Sequence, residues 1–318
     1  MTDVSVPGVV LGTMTFGQQV EEAAAAEMVE GFFARGGVEL DTAYVYSEGR
    51  SEEILGRLLK GRARDSYRVA TKAAPQVTGR LDAESVTMQL ETSLKRMQLE
   101  SVDLFYLHLP DLDTPIEKTL DACAGLHRRG LFEALGLSNY AAWQVADIVH
   151  TCRREGWPVP AVYQGMYNAI TRDVERELFP CLRALGLSFY AYNPLAGGVL
   201  SGRYEWRAIA PDEGRFREYG FYVDRYWKES YVTAAAEVAR ACEGRGIAEA
   251  AAALRWLARD SMLKASAGDA VIIGASKLDH AEENQVACGA APVPECVSAA
   301  FDNAWEAARA DCPKYFRP

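Results

Sequence analysis

Four residues with complementary acid–base chemistry recur in the first third of the chain: Asp41, Tyr46, Lys72 and His108. Val38-Glu-Leu-Asp41 reads as a short strand ending in a carboxylate, and Tyr46 lies on the loop that follows. Lys72 closes a second strand, Tyr67 to Lys72, and His108 closes a third, Val102 to His108. Consecutive strands would therefore deliver a carboxylate, a phenol, an ammonium and an imidazole to one rim. A free tyrosine titrates near ~10, too high for an efficient acid at neutral pH. A lysine ammonium beside Tyr46 is expected to favour the phenolate and lower that value, with Asp41 keeping Lys72 charged and positioned. A neutral His108 would orient a carbonyl or share proton traffic with Tyr46. No member of the set is a nucleophile with its own base, so the set does not suit hydrolysis. It suits protonation of a carbonyl under reduction, and the hydride then requires a nicotinamide cofactor on the same rim. Singly, each residue has an ordinary reading as a solvated charge, a helix cap, a packing aromatic or a core histidine. Their joint placement at successive strand ends carries the argument.

The elements that would hold these residues follow from pattern. Short apolar runs rich in β-branched residues occur at Val9–Gly12, Val38–Asp41, Arg68–Thr71, Val102–Leu107, Ala134–Ser138, Ala161–Gln164, Leu187–Tyr192 and Ala270–Ile273. Helical segments lie between them. Glu21–Arg35 places Ala24, Met28, Val29 and Phe32 on one face. Asp82–Met97 has Asp82 as its N-cap with Leu81 just outside, and Thr114-Pro115 opens the next helix. Alternating strands and helices imply parallel strands with right-handed crossovers. Eight such units predict an α/β protein, a (β/α)8 TIM barrel, with residues 1–318 as one domain. No G-x-G-x-x-G follows the first strand, which weakens the open Rossmann alternative.

Two segments lie outside this rhythm. The interval between Tyr192 and Ala270 begins with Asn193-Pro-Leu-Ala-Gly-Gly-Val-Leu-Ser-Gly-Arg203 and holds helices expected at Glu229–Glu243 and Ile247–Arg259. Its Gly- and aromatic-rich stretch, Gly202–Trp227, does not resemble a packed element and reads as a functional loop. After a last helix over Pro294–Ala310 the chain ends in Cys312-Pro-Lys-Tyr-Phe-Arg-Pro318. The long loop after the seventh strand and this tail are expected over the active-site face.

Composition narrows the class. With 318 residues, 49% hydrophobic and 25% charged, the chain can bury a large core. A formal net charge of -10 with no basic tract argues against nucleic acid as a partner. Cys123, Cys152, Cys181, Cys242, Cys288, Cys296 and Cys312 show neither C-x-x-C nor metal-like pairing with histidine, so reduced thiols and no metal are expected. The first residues, Met-Thr-Asp-Val-Ser-Val-Pro, carry no leader-like region and no run reaches transmembrane length. A cytoplasmic protein without membrane partners is the expectation.

The four residues, in this chain order, resemble the Asp-Tyr-Lys-His tetrad of the aldo-keto reductase superfamily, and the resemblance covers essentially the whole chain. It is closest to the aflatoxin-aldehyde and succinic-semialdehyde reductase branch. The supporting segments are Leu11–Met14, Asp41–Glu53, Thr92-Ser-Leu-Lys-Arg96, Leu135–Trp143, Val162–Ile170, Asn193–Arg203 and Arg225–Glu229. The resemblance implies Tyr46 as proton donor, Asp41 and Lys72 tuning it, and His108 facing substrate. It implies NADPH, with Gly12, Thr13, Met14 and Asp41 near the cofactor and Ser138, Asn139 and Gln164 on the carboxamide. Tyr192 would stack on the nicotinamide. Asn193, Pro194, Leu195, Gly197, Gly198, Ser201, Gly202 and Arg203 would embrace the pyrophosphate, with Arg215 contacting the cofactor further on. Gly274, Ser276, Lys277, His280, Glu283 and Asn284 would hold the adenosine 2′-phosphate at a helix N-terminus. His280 departs from the branch, which usually has Gln there.

For substrate, the resemblance points to Tyr222, Arg225 and Arg317, with both guanidiniums suited to a carboxylate. It therefore implies reduction of small carboxylated aldehydes such as succinic semialdehyde, dialdehydes or dicarbonyls. A homodimer is compatible with it, since relatives of the branch are often dimers. Two other readings stay open: a cofactor-binding regulatory subunit like the potassium-channel β subunits, which retain the tetrad, and a reductase for a sugar or a secondary-metabolite ketone.

Overall fold

A computed structural model describes residues 6–317; the first five residues, which belong to the segment expected to carry no leader, and Pro318 lie outside the described residues. Eight strands form in chain order: β1 Gly8–Gly12, β2 Glu39–Asp41, β3 Arg68–Ala73, β4 Val102–Leu107, β5 Phe132–Ser138, β6 Val162–Met166, β7 Ser188–Tyr192 and β8 Ala270–Ile273. They close into a barrel in which β1 pairs with β2 and with β8, and every neighbouring pair is parallel. The expected (β/α)8 barrel is thus the observed fold.

Register decides what each strand shows to the barrel axis. Side chains alternate along a strand, and Ala70 packs inside the barrel with Leu104, Tyr106 and Val162. Lys72, two residues on, therefore points the same way, at the top of the barrel. Val69, of the opposite parity on the same strand, belongs with Leu11, Leu40, Phe105, Leu135 and Phe189 to the apolar shell between strands and helices. That shell explains why the strands are apolar on both faces except near their C-terminal ends.

The helices follow their patterns with small adjustments. Glu22–Ala34 buries Ala25, Met28, Val29 and Phe32, so Ala25 rather than Ala24 completes the inward stripe. In Ala83–Met97 the Asp82 carboxylate accepts from the Ser85 amide at 3.0 Å, as an N-cap should. The stretch 202–227 departs from expectation. It contains two short helices, Gly214–Glu218 and Gly220–Tyr226, with Phe216, Tyr222 and Tyr226 buried. Tyr204, Phe216 and Trp227 meet edge to face with centroids 5.2–5.7 Å apart. Helices this short show no 3.6-residue repeat, and aromatic packing rather than periodicity holds them.

The tail lacks regular structure but is tied down. The Tyr315 hydroxyl accepts from the Ala142 amide at 3.2 Å and donates to Glu177 at 3.1 Å. The Arg317 amide then donates to the Asn139 carbonyl at 2.9 Å, which brings the last described residue to the end of β5.

Candidate active site

Asp41 ends β2, and the loop after it turns back so that Tyr46 stands over the barrel mouth. Lys72 is fully buried there and spends its three donors on Asp41 Oδ1 (2.5 Å), the Thr42 carbonyl (2.6 Å) and Tyr46 Oη (3.2 Å). The other Asp41 oxygen accepts from Gln164 Nε2 at 2.8 Å. Because Tyr46 oxygen accepts from Lys72, its own proton points elsewhere. His108, one residue past β4, faces Tyr46 with ring centroids 6.0 Å apart and planes at 81°.

The protonation states follow from burial. Burial, then the Lys72 charge, depresses His108 to about 3, so the imidazole is neutral. Among the described residues His108 Nδ1 is buried without a partner, and the residue borders the cavity. Burial likewise lowers Lys72, against the opposing pull of Asp41. For Tyr46 the expected direction is reversed. Burial first and the Asp41 carboxylate second hold its hydroxyl well above 10, so contact with Lys72 does not make it acidic in this site. Tyr46 rests as a neutral phenol with a proton to give.

These groups form the floor of a cavity of about 700 Å³. Its wall contains Gly12, Met14, Ser138, Asn139, Gln164 and Tyr192, then Asn193, Pro194, Leu195, Gly197, Gly198, Ser201 and Arg203, then Arg215, Gly274, Ser276, His280, Glu283 and Asn284. Tyr222, Arg225 and Arg317 line it too. Four expected residues lie off the wall: Thr13 binds the Asp41 carbonyl through its hydroxyl, Lys72 sits behind Tyr46, Gly202 faces Glu249, and Lys277 is exposed.

Several polar groups are already engaged. Asn139 Nδ2 donates to the His108 carbonyl and Ser138 Oγ, and its Oδ1 accepts from Tyr192. The Tyr222 hydroxyl is shared between Asn193 Oδ1 (2.8 Å) and Arg215 Nη1 (2.9 Å), so Tyr222 braces the loop as well as lining the cavity.

The cavity suits a dinucleotide with phosphates. Gly197 and Gly198 take φ of 69° and 103°, and a Cβ on Gly197 would lie 2.7 Å from Tyr222. Only glycine turns the backbone this closely along the wall. Among the described residues, none of the cavity arginines Arg203, Arg215, Arg225 and Arg317 pairs with a carboxylate. Four unpaired guanidiniums on one wall of an acidic protein make a site for anions. Arg225 and Arg317 converge on Tyr192, and Arg317 is lowered by burial and then by the Arg225 charge.

Sequence reasoning passed over Gln76, Leu109 and Phe221 on this wall, and the buried carboxylates Glu52 and Glu249. Gln76 and Leu109 follow β3 and β4, so the strand-end rule could have found them. Glu249 carries no local signal, since only packing buries it.

Comparison with known proteins agrees with the fold. The Aldo/keto reductase family profile matches residues 8–306. The chain is 49% identical over 319 residues to human aflatoxin B1 aldehyde reductase member 2, covering 97% of this chain and 89% of that protein. It is 47% identical to human aldo-keto reductase family 7 member A3, with 98% and 97% covered. An aldo-keto reductase of Pseudocercospora fijiensis is 39% identical, with 91% and 100% covered.

Proposed function

The chain belongs to the aldo/keto reductase family of nicotinamide-dependent oxidoreductases, and from that premise we propose that it reduces small aldehydes with NADPH, using Tyr46 as proton donor. The observation that carries the proposal is the exhaustion of the Lys72 donors on Asp41, Thr42 and Tyr46. The phenol oxygen is bonded from behind and its hydrogen is free for a substrate oxygen.

A nicotinamide held in this cavity would supply the hydride for the carbonyl carbon. As negative charge develops on the carbonyl oxygen, Tyr46 transfers its proton there. The phenolate left behind is stabilised by Lys72 at 3.2 Å, whose charge Asp41 sustains. Lys72 thus lowers the cost of the phenolate, while burial and the Asp41 charge outweigh it and keep the resting phenol protonated. Neutral His108 orients the carbonyl by donating from Nε2. With the cofactor bound, Ser138 and Gln164 would hold the carboxamide, Arg203 and Arg215 the phosphates, and Ser276, His280 and Asn284 the adenosine end, all of them residues that line the cavity.

For substrate we propose carboxylated aldehydes, held by Arg225 and Arg317; the name of the human relative, aflatoxin B1 aldehyde reductase member 2, supports an aldehyde as the acceptor. The same reading takes the enzyme as a cytoplasmic homodimer, which fractionation and light scattering test. Among the described residues no helix is long and apolar enough to cross a membrane. Tyr46→Phe should lower kcat by about 100-fold or more while leaving NADPH affinity unchanged, the range for losing a general acid. Near-normal turnover of 4-nitrobenzaldehyde by that variant would refute the assignment. Absence of turnover in the unaltered protein, with NADPH bound, would favour a regulatory subunit.

A further inference from the structure

The loop that carries Tyr46 is unusual in its backbone. Ser47, Glu48 and Gly49, directly after Tyr46, all take left-handed conformations, with φ of 49°, 58° and 92°. Two non-glycine residues in succession hold such a conformation only when their surroundings impose it. Ser47 donates to the Met14 carbonyl and accepts from Arg50, and Arg96, in the helix Ala83–Met97, packs against the ends of the turn.

Arg96 Nη1 donates to the Tyr44 carbonyl at 3.0 Å and to Glu52 Oε2 at 2.9 Å. Its guanidinium carbon lies 4.2 Å from the Tyr44 ring centroid. It also passes directly over Gly49, where an added Cβ would stand 2.4 Å from Arg96 Cζ. One guanidinium thus grips the chain two residues before Tyr46 and three residues after it. Glu52, fully buried, anchors that guanidinium, and its Oε1 accepts from Thr71 Oγ1 at 2.6 Å. Thr71 adjoins Lys72. The strand bearing the ammonium and the loop bearing the phenol are therefore tied to one buried ion pair.

We propose that Arg96, anchored by Glu52, is a positioning residue for Tyr46: it sets the loop so that the phenol keeps its contact with Lys72. This rests on the reading of Tyr46 as proton donor. Arg96 touches neither substrate nor cofactor, since it lies outside the cavity wall.

The test compares Y46F, R96K and the double variant E52Q/R96M. The double variant removes both charges together, because Arg96 loss alone would strand a buried carboxylate. It should bind NADPH as the unaltered enzyme does, yet lose kcat by about 10- to 100-fold, as a catalytic group misplaced by an ångström does. Amide hydrogen exchange at residues 44–49 should quicken selectively, and the primary isotope effect from deuterated NADPH should rise. R96K should recover most of kcat, since an ammonium can reach both acceptors with separate hydrogens. If the double variant does not fold, E52Q/R96Q, which also removes both charges but keeps a polar side chain at each position, carries the same expectation. Unchanged kcat, or a loss matched by weaker NADPH binding without faster exchange at 44–49, overturns the proposal. So does failure of R96K to recover. A dead Y46F beside a fully active double variant overturns the clamp alone, whereas an active Y46F overturns the donor reading.

Discussion

The carboxylate-binding role of Arg225 can be tested through its selectivity. Arg225 is half-buried in the cavity wall, and among the described residues its guanidinium has Tyr192 and Phe221 but no carboxylate around it. A hydrogen bond to a charged group is worth about 1.5–3 kcal/mol, which is about 10- to 150-fold in kcat/KM. Arg225→Ala should therefore cost that factor for succinic semialdehyde. For 4-nitrobenzaldehyde, which offers no carboxylate, the loss should stay within about twofold, the scale of a substitution that removes no polar contact. Arg317 is only partly buried and the more solvent-exposed of the two, and a charge near solvent contributes about 0.2–1 kcal/mol, so Arg317→Ala should cost at most about fivefold. The two positive charges oppose each other, so their effects should not add. The assay is NADPH oxidation at saturating cofactor with both aldehydes, at low and high salt. The Arg317 effect should fade with salt while the Arg225 effect persists. Equal losses on the two aldehydes would refute the clamp, and loss on neither would show that the substrate carboxylate goes elsewhere.

Other consequences follow from the same geometry. Lys72→Met should leave Asp41 buried with Gln164 as its remaining side-chain partner, costing about 3–5 kcal/mol in urea unfolding as well as turnover; wild-type stability would mean the pair is not buried in solution. Among the described residues Glu249 has both carboxylate oxygens buried without a partner, and burial raises its carboxyl to about 8. A carboxyl more easily protonated in the folded state loses stability as pH rises from 4.5 to about 8. Glu249→Gln should thus raise Tm far more at pH 9 than at pH 5, by up to ~5 kcal/mol in stability; equal gains at both pH values would contradict the burial. Gly197→Ala forces a side chain into a left-handed position against Tyr222 and should weaken NADPH binding about tenfold, the scale of ~1–2 kcal/mol for that conformation. Since His108 titrates near 3, kcat should show no imidazole break between pH 5 and 8. A break near 6.5 that vanishes in His108→Gln would refute the neutral assignment.

The barrel was legible because its strands and helices are local patterns repeated eight times. Each β-branched run is short and each helix has its own stripe, as in Glu22–Ala34, where only the choice of Ala25 over Ala24 shifted. The helices at Gly214–Glu218 and Gly220–Tyr226 escaped notice because five to seven residues hold too few turns for a repeat. Their folding rests on Tyr204, Phe216 and Trp227 meeting across the loop.

The site divides in the same way. Asp41, Lys72 and His108 could be placed from the chain itself, because a strand end in a parallel barrel has one destination and alternation fixes which way each side chain points. The gathering of Arg203, Arg215, Arg225 and Arg317 on a common wall was decided by tertiary structure. So was the hold of Arg96 and Glu52 on the Tyr46 loop. So too was the state of Tyr46, for which spacing suggested a lowered pKa and burial raised it. The physical reason is range: side-chain direction is set by neighbours in sequence, whereas desolvation and charge pairing depend on everything that closes around a group once the chain has folded.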